Sequence, residues 1–274
     1  MSISETSSIN NFDQMQIIDF EMEAYPDKRK RKVRVWLPED YDGNKKFPVI
    51  YMHDGQNLFD DEEPRSKWYV DKEFCSMKKE GISAIVVGID NAETRMSELC
   101  PDILSINDAC YQICKLPPEQ VVPTGNLYAE FITFQVKPWI DKIYCTLPDK
   151  ENTIIGGSSM GGLMSFYMLL KYPEIYGSAL VFSPNFVMYE KQKFIDWLSQ
   201  MDYKKLLKNK IFIFHGGIGL EDANWPYVRA AFELMREKGM DEKHLALIYD
   251  SRQPHFETAW RKYFREAFVF LRGK

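Results

Sequence analysis

Cysteine is scarce in this chain, and no long apolar run interrupts it. The five cysteines, Cys75, Cys100, Cys110, Cys114 and Cys145, are odd in number and lack the pairwise spacing of a zinc site. We therefore expect neither a disulfide framework nor a metal or other cofactor, and free thiols in a reducing cytoplasmic environment are the simplest interpretation. Residues 1–11 are polar and serine-rich, without the apolar core of a signal peptide, and no stretch has the length of a membrane span.

Positive charge is also limited. The chain carries 35 basic and 40 acidic residues, which gives a formal net charge of −5. Its main basic run, residues 28–32, is short enough to begin an exposed strand. Because nucleic-acid binding requires a wider basic surface, the composition argues against a nucleic-acid partner. The sequence leaves open whether the chain forms a homo-oligomer.

What the chain does have is a large apolar fraction arranged in alternating patterns. Hydrophobic residues make up 45% of the 274 residues, enough for one large core. Continuous apolar runs such as residues 47–52 and 84–89 are typical of strands buried on both faces, and helical patterns separate them. The alternation predicts an α/β fold with a mostly parallel central sheet and helices on both faces.

The N-terminal part departs from this alternation. Residues 1–12 are predicted to form a flexible arm, and residues 16–23 and 31–37 read as an antiparallel hairpin around a Pro26-containing turn. We assign residues 13–274 to a single domain with two irregular insertions, near residues 90–125 and 185–209. Since both insertions follow predicted parallel strands, we expect them at the carboxyl end of the sheet, beside the functional site.

The most informative stretch is residues 152–165, where a β-type run passes through small residues into an apolar helix. The motif G-x-S-x-G fits in one register only, with Ser159 between Gly157 and Gly161. Taking Ser158 instead would put Met160 where a small residue is needed. Ser159 is therefore predicted to be a nucleophile, with the amide of Met160 directed at the group that it attacks.

A serine nucleophile needs a base, usually histidine, and on this fold the order along the chain is serine, acid, histidine. Of the four histidines, His53 precedes the serine and His244 begins a strand, at the wrong end of the sheet. His215 closes a strand whose following loop should supply the acid. His255 lies just past the last predicted strand and before the last helix, so it is the predicted base.

The acid is expected in the loop after the strand that ends at Phe214, which contains Glu221 and Asp222. Leu220 would anchor this loop by burying its side chain, so that the next residue is the first to turn inward. Asp222 lies close to the predicted start of the following helix, near residue 227, where capping is its simplest role. We favour Glu221 and keep Asp222 as the alternative.

The second donor of an oxyanion hole should come from the loop after the strand that ends at Met52. A tight turn there would direct the amide of Gln56 toward the serine. Arg95 is a candidate for contact with a polar or anionic part of the substrate. The predicted substrate-contacting residues, all after predicted strands, are His53, Asp54, Arg95, Asn185 and Phe186.

These residues resemble the "putative esterase" family of α/β-hydrolases, which includes enterochelin esterases, esterase D, feruloyl esterase domains and mycolyltransferases. The matching segments are residues 53–60, 86–91, 156–162 and 182–184, and His255 with Trp260 five residues later. The resemblance implies the α/β-hydrolase fold, Ser159 as nucleophile, His255 as base, and the amides of Gln56 and Met160 as oxyanion hole.

One departure from the family concerns the acid. Relatives often carry it three residues after a glycine that closes the strand, and counted from Gly216 that position is Gly219. The acid must have moved along the loop to Glu221 or Asp222, or be weakened.

We therefore expect a serine esterase that hydrolyses a carboxylic ester of a small molecule through an acyl-enzyme. Two alternatives stay open: an acyltransferase that moves the acyl group to a sugar or another alcohol, and a catalytically silent binding protein on the hydrolase fold. Because the family contains several ester classes, the sequence names neither part of the substrate.

Overall fold

The computed structural model describes residues 14–59, 66–108 and 121–273, which are organised around one eight-stranded sheet. The predicted arm, residues 1–12, lies outside the described residues. The strands are β1 (Met15–Glu21), β2 (Lys30–Trp36), β3 (Val49–His53), β4 (Ile85–Ile89), β5 (Thr153–Ser158), β6 (Ser178–Phe182), β7 (Lys210–His215) and β8 (Leu245–Tyr249).

The order across the sheet is β1-β2-β4-β3-β5-β6-β7-β8. β1 pairs antiparallel with β2, and β2 with β4, which confirms the predicted N-terminal hairpin. β4, β3, β5, β6, β7 and β8 are parallel neighbours, so the carboxyl ends of six strands meet at one edge. This edge is where loops from a parallel sheet can build a site.

Helices cover both faces of the sheet. They are α1 (Val70–Met77), α2 (Arg95–Glu98), α3 (Gly125–Glu130), α4 (Lys137–Ile143), α5 (Met160–Lys171), α6 (Lys191–Ser199), α7 (Tyr203–Leu206), α8 (Leu220–Glu237) and α9 (Glu257–Arg272). A π-helical stretch, Phe131–Val136, joins α3 to α4. No helix in the described part of the chain is long and apolar enough to cross a membrane.

Two apolar layers form the core, one on each face of the sheet. Alternate residues of β3 face opposite layers, as the two-residue period of a strand requires: Val49 and Tyr51 join one cluster, Ile50 and Met52 the other. Helices α1 and α9 cover the second layer, while α5 lies in the first. Nearly every residue of α5 is buried, which explains its apolar character all round.

Helix α8 begins earlier than the sequence predicted. We expected it near residue 227, after Pro226, but it begins at Leu220 and Pro226 lies inside it. Gly219 precedes the helix at φ 72°, a left-handed conformation that glycine adopts without strain. Two acidic residues in the first turn favour the positive end of the helix dipole. Because of this earlier start, Glu221 is buried and Asp222 is exposed.

Candidate active site

Ser159 lies on a strained turn between β5 and α5. Its backbone has φ 58° and ψ −121°, outside the regions that L-residues ordinarily occupy, and its amide donates to the carbonyl of Phe182 at 2.9 Å. A Cβ atom at Gly157 would lie 2.9 Å from the backbone of Gly161, and one at Gly161 would lie 3.0 Å from Cβ of His53. The two glycines therefore allow the turn to pack directly on the end of β3, as the motif requires.

His255, from the loop after β8, and Glu221, from the first turn of α8, come together. Nδ1 of His255 lies 3.2 Å from Oε1 of Glu221. Because a carboxylate only accepts, this contact places the ring proton on Nδ1 and leaves Nε2 free to accept a proton. The His255 side chain is 18% exposed, whereas Glu221 is fully buried. The pair therefore has a buried carboxylate behind an imidazole that is open to the cavity.

Further groups hold the Glu221 carboxylate in place. The hydroxyl of Ser183 donates to Oε1 at 2.5 Å, and the indole of Trp260 donates to the same hydroxyl at 3.0 Å. Burial by itself would raise the pKa of Glu221, but the hydrogen bond with His255, the nearby His215 and the hydroxyl of Ser183 hold that pKa below its ordinary value. The acid is therefore ionised at neutral pH.

His215 lies beside the second oxygen of the Glu221 carboxylate. Its Nε2 lies 3.1 Å from the carbonyl oxygen of Glu221, so Nε2 carries the proton. Its Nδ1 lies 3.2 Å from Oε2 of Glu221, without the alignment of a hydrogen bond. Complete burial lowers the pKa of His215, and the ring stacks on Trp225 at 5.7 Å. At neutral pH this ring is neutral, with an unprotonated Nδ1 beside the acid.

Asp222, the alternative acid, is exposed in the first turn of α8, and its amide donates to the carbonyl of Gly219. The geometry favours Glu221 over Asp222 as the partner of His255. The expectation that Leu220 would bury its side chain is wrong, since Leu220 is 52% exposed. Because the helix has already begun there, successive side chains are about 100° apart, and Leu220 faces out while Glu221 faces inward.

A cavity of about 200 Å³ connects Ser159 with His255. Apolar and amide side chains form most of the remaining wall, with one arginine. The lining residues are Arg95, Met96, Ser159, Met160, Asn185, Leu220, Asn224 and His255. The cavity thus contains the serine, the histidine and the first residue of α5, whose amide was predicted to bind an oxyanion.

The two predicted oxyanion donors differ in position. The amides of Met160 and Gln56 donate to no other group within residues 14–59, 66–108 and 121–273, which leaves both available to a ligand. Met160 begins α5 and lines the cavity, whereas Gln56 is half-buried and is not among the lining residues. The side-chain oxygen of Gln56 accepts from the amide of Asn91 at 3.0 Å.

His53 and Asp54 do not line the cavity, contrary to the prediction that they contact the substrate. His53 is buried beneath the Ser159 turn, and its Nδ1 lies 3.1 Å from the hydroxyl of Tyr128. Burial lowers the pKa of His53 to about 3, so the ring is neutral. Asp54 is also buried and accepts two hydrogen bonds from Arg95. Both side chains are buried where the chain packs under the Ser159 turn, so a substrate in the cavity does not reach them.

Of the remaining predicted contacts, Arg95 and Asn185 line the cavity but Phe186 does not. The amide of Asn185 donates to the carbonyl of Ser159 at 3.1 Å. Phe186 is fully buried and packs against Phe166 and Phe194, so its apolar ring belongs to the core and not to the site.

The sequence did not single out several polar residues that organise this site. Asn224, in α8, lines the cavity and donates to the carbonyl of Pro184, while its oxygen accepts from the amide of Val187 at 3.2 Å. Ser183 and Asn91 were visible only as members of longer matching segments. Their partners are distant in the sequence, so no local pattern could have identified their roles.

No cluster of three or more histidine, cysteine, aspartate or glutamate side chains suited to a metal ion occurs in the described ranges. The residues that line the cavity with Ser159 offer acid–base and hydrogen-bonding groups.

Comparison with known proteins shows which family the chain resembles over most of its length. A family model described as "Putative esterase" matches residues 26–268. Among curated proteins, the "Uncharacterized protein YbbA" of Bacillus subtilis (strain 168) is 23% identical over 256 residues, covering 89% of this chain and 93% of that protein.

Solved structures with the same fold include a serine hydrolase and an esterase. One is an IroE-like serine hydrolase from Shewanella oneidensis, with a TM-score of 0.72 and 16% identity over 94% of this chain and 79% of that one. Another is a ferulic acid esterase, with a TM-score of 0.64 and 16% identity over 95% of this chain and 99% of that one. At these identities the likeness shows the fold, and it confirms the α/β-hydrolase architecture that the resemblance implied.

Proposed function

Because the chain belongs to the "putative esterase" family and is a carboxylic ester hydrolase, we propose that it acts as a serine esterase through an acyl-enzyme on Ser159. The observation that supports this most is the buried Glu221 carboxylate, 3.2 Å from Nδ1 of His255, in a structure where His255 and Ser159 line the same cavity. A surface histidine without a catalytic role would not need a buried carboxylate as its partner.

In the first half-reaction, Nε2 of His255 takes the proton of the Ser159 hydroxyl as the oxygen attacks the ester carbonyl. The imidazolium that forms is stabilised by the ionised Glu221 at Nδ1. The same proton then passes to the departing alcohol. Water attacks the acyl-enzyme in the second half-reaction, with His255 again accepting a proton, and the acid is released.

The negative charge that develops on the carbonyl oxygen requires donors that already point at it. The amide of Met160 and the N-terminal end of α5 supply one side of such an oxyanion hole, and we assign the amide of Gln56 to the other. Donors of this kind typically contribute about 10²–10³ in kcat each. Neither amide has to give up a bond within the described residues to serve, so no energy is spent in freeing it.

The cavity limits the substrate only coarsely. Met96, Met160 and Leu220 provide apolar surface, and Asn185 and Asn224 provide amide groups. Such a wall suits an uncharged acyl or alcohol group that presents both apolar area and one or two hydrogen-bonding atoms.

The test is a panel of 4-nitrophenyl esters of increasing acyl length, assayed with the wild-type chain, Ser159→Ala and His255→Ala. We expect a pre-steady-state burst of 4-nitrophenol with the wild type and loss of at least about 10³-fold in kcat/KM in both variants. Activity that survives in Ser159→Ala at the wild-type level would exclude the proposal. If added glycerol raises nitrophenol release and a glyceryl ester accumulates in place of the free acid, an alcohol and not water is the preferred acyl acceptor.

A further inference from the structure

Asp54 lies two residues before Gln56 in the loop after β3, and its side chain is hydrogen-bonded to both Arg95 and Asn91. Its backbone has φ 57° and ψ 49°, the left-handed conformation, and its side chain is nearly inaccessible to solvent. Oδ1 accepts from Nε of Arg95 and from Nδ2 of Asn91, each at 2.6 Å, while Oδ2 accepts from Nη2 of Arg95 at 2.8 Å. A bidentate pair of this kind fixes the orientation of both groups and neutralises the charge of the arginine.

Asn91 connects Asp54 directly to Gln56. Its side-chain amide donates to Asp54, and its backbone amide donates to Oε1 of Gln56 at 3.0 Å. The loop after β3 is therefore held to the loop after β4 at both Asp54 and Gln56. Gly55, between these residues, packs so closely on β4 that a Cβ atom there would lie 2.6 Å from the backbone of Gly88.

The short helix that carries Arg95 is itself held in place by ion pairs. It begins α2, and Glu98 at the other end of this helix is 1% exposed. Glu98 accepts from Arg31 at 2.7 and 2.8 Å and from Arg29 at 3.0 Å. These ion pairs attach α2 to β2 and to the segment just before it, so Arg95 reaches Asp54 from a fixed helix.

We propose that Arg95 is a positioning residue, which holds the Gln56 amide in the oxyanion hole through Asp54 and Asn91 and does not serve as a receptor for an anionic substrate group. The proposal rests on the proposed function of the same site. Its physical reason is that the arginine charge is already paired with a buried carboxylate, and an anion on the substrate would have to compete with that pair. Arg95 lines the cavity while its guanidinium is paired with Asp54, which does not line it.

The kinetic signature follows from this arrangement. A displaced oxyanion donor weakens transition-state binding and leaves ground-state binding almost unchanged. We expect Arg95→Ala and Asn91→Ala each to lower kcat by about 10- to 100-fold, part of the effect of losing a donor outright. KM should stay within about 3-fold, and the loss should be equal for a neutral 4-nitrophenyl ester and for one that carries a carboxylate. A selective rise in KM for the anionic ester would overturn the proposal and establish a charge receptor.

Chemical rescue tests the role of the guanidinium group itself. Arg95→Ala opens a space that leads from the cavity to the Asp54 carboxylate. Methylguanidinium, at concentrations that do not unfold the chain, should raise kcat of Arg95→Ala and leave KM unchanged, whereas methylammonium, which cannot pair through two nitrogens, should do so weakly. No rescue by either compound, together with an altered KM, would contradict a positioning role.

Hydrogen exchange gives a readout that does not depend on activity. Exchange of the backbone amides in residues 53–58 should accelerate in Arg95→Ala and Asn91→Ala, with the remainder of the sheet unchanged. Lys137→Met is the matched control, since it breaks another partly buried ion pair, Lys137 with Asp141 at 2.6 Å, on a helix outside the site. It should alter neither kcat nor exchange in residues 53–58. Unchanged exchange in the Arg95 and Asn91 variants would refute the positioning inference, and a wild-type chain without esterase activity would refute the proposed function alone.

Discussion

Replacing Glu221 by glutamine removes one charge and leaves the shape of the site nearly unchanged. In the structure, Oε1 faces His255 and Ser183, while Oε2 lies 3.2 Å from the unprotonated Nδ1 of His215. A glutamine would orient its NH2 group toward that nitrogen and its oxygen toward His255. The catalytic ring would then keep its proton on Nδ1, so Glu221→Gln should remove the charge without reversing the tautomer.

The magnitude follows from the 3.2 Å separation of the Glu221 and His255 atoms. At an effective dielectric constant of about 20, two unit charges at that distance attract by about 5 kcal/mol. The amide oxygen retains part of this interaction with the imidazolium, so we expect Glu221→Gln to lose about 3–4 kcal/mol, or about 10²–10³ in kcat. This is below the roughly 10⁴ found where neutralising the acid also imposes the wrong tautomer.

The assay is kcat with 4-nitrophenyl acetate near pH 8, with the circular dichroism spectrum as a check on folding. Asp222→Asn is the matched control, because Asp222 is exposed one residue away, and we expect its kcat within about 2-fold of wild type. Adding His215→Leu to Glu221→Gln removes the acceptor that orients the amide and should cost about 10-fold more. A glutamine variant with more than a third of the wild-type kcat, or an inactive Asp222→Asn, would refute the assignment of the acid.

Three further predictions concern stability and cofactors. Because the pKa of His53 is about 3 in the folded chain and about 6.5 when exposed, the unfolded chain binds more protons between these values, and stability falls as pH drops below 6.5. The free energy of unfolding should decrease by about 1.6 kcal/mol between pH 6.5 and 5 from this residue, and urea titrations of His53→Gln should lack that decrease. The same dependence of unfolding free energy on pH in both proteins would contradict the prediction. Gly161→Ala, which brings a Cβ atom 3.0 Å from His53, should lower stability by about 1–3 kcal/mol in the same titrations, and an unchanged midpoint would show that the turn can relax. Dialysis against EDTA should leave kcat unchanged, and a loss that added zinc reverses would exclude the serine mechanism.

The sequence predicted the features that depend on local pattern or chain order. The parallel sheet and the hairpin followed from alternating apolar runs, and the register around Ser159 followed from the small residues on each side of it. His255 was identified by its place after the last strand. These features could be predicted because a strand-to-helix turn depends on neighbouring residues and the order of the loops is the order of the sequence.

Features that depend on contacts between distant segments were not predictable. The sequence favoured Glu221 over Asp222, but from an expected burial of Leu220 that is wrong. The observed burial of Glu221 depends on where α8 begins, since one residue turns a helical side chain by about 100°. Burial of Phe186 depends on Phe166 and Phe194, which surround it in the folded chain. The Arg95 pair with Asp54 joins residues 41 positions apart, so an arginine that reads as a substrate ligand proves to be already paired.

The central claim is that Ser159 forms the acyl-enzyme, and covalent labelling tests it most directly. The wild-type chain, Ser159→Ala and Ser158→Ala would each be treated with a fluorophosphonate and digested, and the modified peptide located by mass spectrometry. We predict one adduct on Ser159 in the wild type and in Ser158→Ala, and none in Ser159→Ala. An adduct on Ser158, or labelling that persists in Ser159→Ala, would contradict the account.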